Sequence, residues 1–348
     1  MRDIAAELGL CRHAVSSVLN NRAKERGYAP ETEKRVREYL AQRGYVPSRH
    51  AMRLRKSTRE TVGILHCGKL FSHLTEAFNR LTARLMTGPV GVEIMVVPHE
   101  RRLWGLQELI ARGVTRLVWM HTTPPCHELA DAAPLFPYLA QFETVVIYNY
   151  HFAGQTLDQC LKSLGAHFVG VDRDAAYRRL GKYLRELGHT TVALPEHVPD
   201  EVHNSQDTTA AVLRVAGLAV MGCRAGFIYE CTPKFAIQLA GVLHELCRTR
   251  GVTAACFGDD VIAGYAMTEL LRRGVQIPRD LTVTGFDGMP FAGAFSVPLT
   301  TLAMPVEKMT DCALQLLCAK TSRRRHCFPM ELVLRASHGP APVKKDGK

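Results

Sequence analysis

Hydrophobic positions repeat at two different spacings along the chain. Up to residue 43, apolar side chains recur every three or four positions, which is typical of short amphipathic helices. From Thr61 onward, short continuous apolar runs alternate with amphipathic stretches. The sequence therefore predicts a small all-helical unit followed by a larger part in which strands and helices alternate.

Three helices are predicted at the amino-terminal end, over residues 2–8, 12–19 and 30–43. The small side chain of Ala5 lets the first two helices approach closely. Gly9 can supply the positive φ of a tight turn between them. The third helix is expected to end at a Gly44 cap. Its apolar face should close the core of the unit; the residues on this face are Val36, Tyr39 and Leu40.

The second helix divides into an apolar and a polar face. Val15, Val18 and Leu19 form the apolar stripe. The polar side chains near its amino-terminal end are Arg12, His13, Ser16 and Ser17. This end of a recognition helix reaches base edges in the major groove of DNA. A helical hairpin without a DNA-binding function has similar spacing, so the pattern alone leaves both interpretations open.

Charge favours the DNA-binding interpretation. Residues 1–60 contain 14 Lys and Arg against 7 Asp and Glu, a net charge of +7 out of +11 for the whole chain. Concentrated positive charge beside a helix-turn-helix is typical of phosphate binding. The basic loop 22–28 and the linker PSRHAMRLRK at residues 47–56 contribute to this charge.

The rest of the chain predicts two parallel sheets covered by helices on both faces. Strands are predicted for TVGILHC, VEIMVV, RLVWM, TVVIYNY and HFVGV, with helices at residues 72–86 and 103–113 between the first of them. A second series of strands comprises TVALP, AGFIYE, TAACF and LTVTGF. Helices are expected near residues 173–187, 206–220, 234–249 and 260–273. Two such series indicate two α/β lobes.

Three stretches of the sequence resemble the LacI/GalR family of bacterial transcription regulators. They are DIAAELGL…AVSSVLNN, YAPETEKRVREYLAQRGYVPSRHAMRLR and GDDVIAGYAMTELLRRGVQIPRDLTVTGFDGMPFAGAFSVPLTTL. The resemblance implies a DNA-binding headpiece at residues 1–46, a hinge at 47–59 and a periplasmic-binding-protein-like core at 60–348. It also implies that lobe one comprises about 60–170 and 297–321, and lobe two about 171–296 and 322–340, with crossings near 170, 296 and 322.

In the family, the hinge segment forms a helix on DNA and pairs with its dimer mate in the minor groove. Leu54 matches the position whose apolar side chain wedges between base pairs and kinks the duplex. Ala51 is small where two hinge helices must approach, and Arg49 can neutralise phosphate. The expected DNA contacts are Arg12, His13, Ser16, Ser17, Asn20, Arg22, Arg49, Ala51 and Leu54.

An effector site is expected between the lobes, at the carboxyl ends of strands. Asp259 and Asp260 follow TAACFG, and Asp287 follows LTVTGF, where the family match GFDG favours an effector contact. Asn149 is the candidate from the facing lobe. For Asp260, the alternative is a cap on the following helix.

The sequence departs from the family pattern at three places. Thr208 lies where the family carries an effector-gripping Arg, which puts a sugar-like effector in doubt; Thr208 is kept as a site position. Ser17 lies where relatives place a guanine-reading Arg, so Arg12 and His13 are expected to carry more of the base readout. Met1 directly precedes the first helix, which is expected to mean an upstream start or one missing phosphate contact.

Other classes of protein have little support in the sequence. No apolar run reaches the ~18–20 residues of a membrane span, and the 11 cysteines form no C-x-x-C pair. Phosphate-loop, dinucleotide-fingerprint and hydrolase motifs are missing, so no catalytic residue, cofactor or metal ligand is assigned. Cys11 is expected to be structural, although oxidation there is an alternative.

The sequence thus predicts a dimeric DNA-binding regulator, with a repressor favoured over an activator, on a pseudo-palindromic operator in the bacterial cytoplasm, associated with the nucleoid. A small-molecule effector, which could be a sugar, would control it by inducing or by co-repressing. The alternative is a cytoplasmic solute- or carbohydrate-binding module with a non-functional headpiece.

Overall fold

The structure is a computed structural model of the 348-residue chain. It describes residues 2–19, 22–44, 60–67, 72–88, 90–121, 133–148, 161–196, 204–224, 233–318 and 324–342. Within this part of the chain, no helix has both the length and the apolar character needed to cross a bilayer.

Three helices form the headpiece, residues 2–44. They are α1 (Arg2–Glu7), α2 (Arg12–Leu19) and α3 (Pro30–Gln42). Gly9 and Gly44 both have a φ of 61°, so each ends its helix in the left-handed conformation that glycine adopts without strain. Pro30 occupies the first turn of α3, where its missing N–H leaves no helical hydrogen bond unmade.

Six parallel strands form the sheet of lobe one, in the order β11-β5-β4-β3-β1-β2. The strands are β1 (Thr61–Cys67), β2 (Gly91–Val97), β3 (Arg116–His121), β4 (Thr144–Tyr148), β5 (His167–Val171) and β11 (Arg325–Phe328). The helices of this lobe are α4 (Ser72–Met86), α5 (Arg102–Ala111), α6 (Phe136–Leu139) and α11 (Val306–Cys318).

Lobe two has a sheet in the order β12-β10-β9-β8-β6-β7, in which only the pair β10–β12 is antiparallel. Its strands are β6 (Thr191–Glu196), β7 (Ala219–Arg224), β8 (Ala254–Cys256), β9 (Thr282–Asp287), β10 (Thr300–Ala303) and β12 (Glu331–Val333). Its helices are α7 (Arg173–Glu186), α8 (Asn204–Val215), α9 (Pro233–Arg250) and α10 (Asp260–Arg272).

The chain crosses between the lobes three times, and two crossings lie later than the sequence predicted. The first follows β5, near the expected residue 170. The second follows β10 at 304–305, because β10 pairs with β9 of lobe two, so the expected crossing near 296 was wrong. The third lies at 329–330, because β11 still pairs with β5, so the expectation near 322 was also wrong.

One predicted helix is too long, and one strand lies where the sequence predicted part of that helix. The helix expected near 206–220 ends at Val215, because Gly217 has a φ of 85° and stops it. The strand β7 then begins at Ala219, before the predicted AGFIYE, whose residues 225–230 lie outside the described part of the chain. The apolar residues around 215–220 fit a helix as well as a strand, so the sequence pattern did not show where α8 ends.

The packed interior is shared between the lobes. One continuous apolar cluster contains Leu81 and Val169 of lobe one together with Tyr177 and Phe286 of lobe two. The Tyr177 and Phe286 rings stack with centroids 5.6 Å apart. Separate clusters fill the opposite face of each sheet, beneath α5 in lobe one and beneath α9 and α10 in lobe two. The cluster shared by both lobes lies where the crossing segments join them.

Candidate nucleic-acid interface and effector cleft

The headpiece has its own apolar core, which determines which side chains of α2 face solvent. Buried side chains from all three helices form this core: Ala5, Val15, Val18, Val36 and Leu40, with Ala23 of the loop. Because Val15 and Val18 point inward, Arg12 and His13 on the opposite face of α2 are exposed. The predicted faces of this helix are therefore present. Tyr39 lies outside the buried set and is only half-buried.

Polar contacts at the edge of this core hold α1 against α3. The Tyr39 hydroxyl and the Arg43 guanidinium both donate to Oε2 of Glu7, the second over 2.8 Å. Arg35 donates to the backbone carbonyl of Leu8 over 2.7 Å. These contacts, together with the apolar core, fix the position of the exposed face of α2.

Four cations on or beside α2 have no carboxylate partner in the described part of the chain. Each is exposed and forms no ion pair with another described residue: Arg12, Arg22, Lys24 and Arg26. A protein surface normally intersperses charges of both signs, so an unneutralised group of this kind is suited to phosphate.

Ser16 and Ser17 are half-buried, which gives them less access to DNA than Arg12 and His13. The Ser17 side chain also hydrogen-bonds Tyr28, and its carbonyl accepts from the N–H of Arg22 over 2.8 Å. Ser17 therefore also connects α2 to the following loop.

Cys11 caps the first turn of α2, a function that the sequence analysis did not assign. The backbone N–H of Ala14 hydrogen-bonds the Cys11 sulfur and lowers the pKa of this exposed thiol below its usual value. A polar side chain one position before the first helical residue was the available sequence signal, although cysteine is not among the residues that commonly cap helices.

Several predicted site residues lie outside the described part of the chain. They are Asn20, Arg49, Ala51 and Leu54 for DNA, and Asn149 for the effector. Thr208 lies on α8, but its side chain also falls outside what is described.

The candidate effector cleft follows from the topology of the crossings. The chain leaves each lobe at the carboxyl end of a strand, after β5, β10 and β11. Since all strands but β12 run parallel within their sheets, the carboxyl ends of the two sheets lie where the lobes are joined. Side chains at these ends are therefore placed to contact a ligand between the lobes.

Asp259, and not Asp260, is the helix cap. Its Oδ1 accepts from the N–H groups of Val261 and Ile262 over 2.7 and 3.0 Å, and so satisfies the first turn of α10. The alternative considered for Asp260 was therefore wrong by one residue, because Asp259 has the extended backbone conformation of a cap while Asp260 is already helical.

Asp260 instead connects three segments of lobe two inside the protein. Its two oxygens accept from the N–H of Met289 and the Oγ1 of Thr301, each over 2.7 Å. Its exposed fraction is 0%. Burial raises the pKa of Asp260 from 3.8 to about 7, and the nearby charges of Asp287 and Asp259 act in the same direction.

Asp287 ends β9 in an uncommon backbone conformation. Its φ is 108°, and Gly288 follows with a φ of 76°. The Asp287 carbonyl accepts from the N–H of Met304 over 3.0 Å, at the second crossing, and the residue is buried. A non-glycine residue at positive φ is strained, and such strain concentrates at ligand-binding positions.

Tyr148 is a polar group at the carboxyl end of β4 that the sequence analysis did not select. It is buried, burial raises its pKa above the usual value, and its hydroxyl has no hydrogen-bond partner among the described residues. It precedes Asn149, so its position at a strand end was a signal available in the sequence.

The fold and these two sites define a helix-turn-helix headpiece joined to a two-lobed sensor. Residues 182–338 match the model of the periplasmic-binding-protein-like domain. Nearly the whole chain aligns with the transcriptional regulator GalS of Salmonella typhimurium, at 25% identity over 97% of this chain and 96% of that protein. The ribose operon repressor of Escherichia coli is also 25% identical, over 91% of both chains.

Solved structures show the same fold. A lac repressor dimer bound to operator and the anti-inducer ONPF aligns with a TM-score of 0.66 at 18% identity, over 96% of this chain and 97% of that one. A LacI-family regulator, CCPA from Weissella paramesenteroides with bound sucrose, aligns with a TM-score of 0.65 at 16% identity, over 80% of this chain and 99% of its own. The chain is therefore similar over nearly its whole length to these transcription regulators, and it shares the fold of LacI-family proteins.

Proposed function

We propose that the protein is a sequence-specific repressor that acts at the nucleoid as a dimer on a pseudo-palindromic operator. The observation that carries this proposal is the group of exposed cations on α2 and in the loop after it, Arg12, Arg22, Lys24 and Arg26, which have no carboxylate partner among the described residues. The apolar core of the headpiece fixes the position of α2. Two-fold symmetric proteins read operators of matching symmetry. The lac repressor structure, a dimer on operator DNA, supports this assembly by analogy.

A gel-shift titration against DNA upstream of the neighbouring gene tests this function. We expect a complex whose affinity falls steeply as salt rises, since each neutralised phosphate releases a counterion. Failure to select any duplex above random sequence would instead favour a binding module with a non-functional headpiece.

Arg12→Ala is expected to weaken operator binding by about 1–3 kcal/mol and to relax specificity at one base pair, since an Arg at this end of α2 can bind a guanine edge through two hydrogen bonds. The measurement is the dissociation constant on the operator and on its single-base variants. The matched control is Lys34→Ala on the exposed face of α3, whose only described charge contact is a 3.9 Å pair with Glu38. Equal loss on every sequence would show that Arg12 contacts only phosphate.

Leu54→Ala in the hinge is expected to lower affinity by reducing DNA bending, because an apolar wedge offsets the cost of unstacking through the contacts that the bend allows. A phasing assay with the bound operator measures the bend directly. Lys34→Ala on the exposed face of α3, outside the hinge, is the control, and it should leave the bend unchanged. An unaltered bend in the Leu54 variant would contradict the proposal.

We also propose that an effector binds between the lobes and contacts Asp287, Asp259 and Thr208, with Asn149 contributed by the facing lobe. The Asp259 carboxylate would then bind the effector and the first turn of α10 at the same time. For an effector to change DNA affinity, it must bind one arrangement of the lobes more tightly than the other.

A thermal-shift screen of the full chain against sugars and nucleosides identifies the effector class. Asp287→Asn should abolish the shift given by a true effector while leaving the unliganded melting temperature within a few degrees. A shift that persists in this variant would exclude Asp287 as the contact.

A further inference from the structure

An open groove of about 450 Å³ lies on the surface of lobe two, alongside α7. It runs between α7 and the segment that includes β12, at the edge of the sheet. Its lining contains Ala175, Arg178, Arg179, Lys182, Tyr183, Glu186, Leu332 and Leu334.

The charged lining of the groove is dominated by cations. Arg178, Arg179 and Lys182 are exposed, and none of them forms an ion pair with a described residue. Arg178 and Lys182 are four positions apart, so both lie along one side of α7. Glu186 is the only acidic side chain in the lining. The groove therefore has a net positive charge that its own residues do not neutralise.

The other lining residues are apolar. Leu334 is 48% exposed, Leu332 is partly buried, and the Tyr183 ring packs against His338 with centroids 5.5 Å apart. The inward face of α7 is already filled by Tyr177, Leu180 and other core residues. The exposed leucine is therefore not required by the core of the lobe.

We propose that this groove binds an acidic segment of a partner protein that also carries an apolar side chain. Carboxylates would pair with Arg178 and Lys182, and the apolar side chain would cover Leu332 and Leu334. Nucleic acid fits less well, because phosphates and sugars offer no apolar group for the two leucines. The carboxyl-terminal residues of the chain are unsuitable occupants, because VKKDGK at 343–348 is itself basic.

The test uses the full-length protein and a fluorescein-labelled peptide in which glutamate and leucine alternate. Fluorescence anisotropy should show saturable binding, tighter than that of an all-glutamate peptide of equal length. The double variant R178E/K182E should bind at least about tenfold more weakly, and so should Leu334→Asp. The matched control is the double variant R248E/R250E, which reverses two exposed cations at the end of α9 that form no ion pair with a described residue, and it should bind the peptide like the wild type.

Operator binding by each variant checks that the fold is intact. The groove lies on lobe two and the proposed DNA contacts lie in the headpiece and hinge, so a correctly folded variant should still bind the operator. Several results would overturn the proposal. They are no binding to the wild type, equal loss in both double variants, and displacement of the peptide by non-operator duplex DNA. A change in sedimentation of R178E/K182E without peptide would also overturn it, because a second copy of the chain would then be the occupant.

Discussion

Replacing Asp260 by asparagine should flatten the pH dependence of stability between about pH 4 and pH 7. In the unfolded chain this carboxyl loses its proton near its ordinary pKa of 3.8, whereas burial in the folded protein delays the loss to about 7. The folded state therefore holds more protons over this interval, and the free energy of unfolding falls as pH rises. At about 1.4 kcal/mol per pH unit, the wild type should lose up to about 4 kcal/mol that the variant does not.

The slope of stability against pH, and not its absolute value, is the measurement. The single oxygen of asparagine can still accept from the N–H of Met289. Its NH₂ group then faces the Thr301 hydroxyl, which donated to the second carboxylate oxygen in the wild type. This change alters the free energy of unfolding by an amount that does not depend on pH. Urea titrations at a series of pH values separate the two effects.

Asp280→Asn provides a control in which the pKa shift of the carboxyl group has the opposite direction. The N–H of Gln276 donates to Asp280 over 2.8 Å and lowers the pKa of Asp280. The stability from this group is lost as pH falls through the lowered pKa. Its replacement should therefore change the slope of stability against pH only on the acid side, below about pH 4, and lower stability by a constant amount above it. An Asp260 variant that keeps the full wild-type slope would show that this carboxyl stays charged in the folded protein.

Gly288→Ala should destabilise lobe two by about 2–5 kcal/mol. A side chain at its φ of 76° costs about 1–2 kcal/mol, and forcing a methyl group into a filled site costs about 1–3 kcal/mol more. A Cβ at this position would lie 2.5 Å from the Cα of Ala303, which is part of β10 and has no freedom to move aside. The measurement is the free energy of unfolding from denaturant titration.

Gly274→Ala isolates the cost of backbone strain. Gly274 has a similar φ of 83°, yet a Cβ there would have no heavy atom within 4 Å. This variant should lose only the strain component, about 1–2 kcal/mol. Equal destabilisation of the two variants would show that β10 moves away at Ala303. The close contact between the new Cβ and Ala303 would then add nothing to the cost of the Gly288 substitution.

The segment Asp287–Gly288 connects these predictions to effector binding. The strained Asp287 lies at the end of β9, its carbonyl is held by Met304 at the second crossing, and Met289 donates to Asp260. A ligand on Asp287 would therefore act on a segment bonded both to a crossing and to the buried carboxylate. If Asp287 contacts the effector, Gly288→Ala should also weaken the effector-dependent thermal shift.

Local patterns were sufficient for elements with one strong periodicity. The bounds of α2, α4, β1 and β5 match the predicted ranges, because each has a continuous apolar stripe or run between clear end signals. The end of α8 and the start of β7 could not be predicted, since the helical pattern continues to residue 220 and only the pairing with β6 shows that Ala219–Arg224 is a strand.

For the candidate effector site, the sequence predicted the type of residue and its position at a strand end, but not the function of each residue. The sequence placed acidic side chains after β8 and β9, but it assigned the possible capping function to Asp260. Adjacent carboxylates look alike in sequence, and only the backbone conformation of Asp259 distinguishes the cap from its buried neighbour. The partners of Asp260 lie 29 and 41 residues away in the chain, beyond the reach of any local pattern.

The sequence by itself determined the helix-turn-helix, the alternating α/β lobes and the concentration of positive charge at the amino-terminal end, because each depends on spacing or composition within a short window. The tertiary structure alone decided the places where the chain crosses between the lobes, the division of functions between Asp259 and Asp260, and the basic groove beside α7. These features depend on which distant segments pair and on what a side chain meets once buried, and both are properties of the assembled fold.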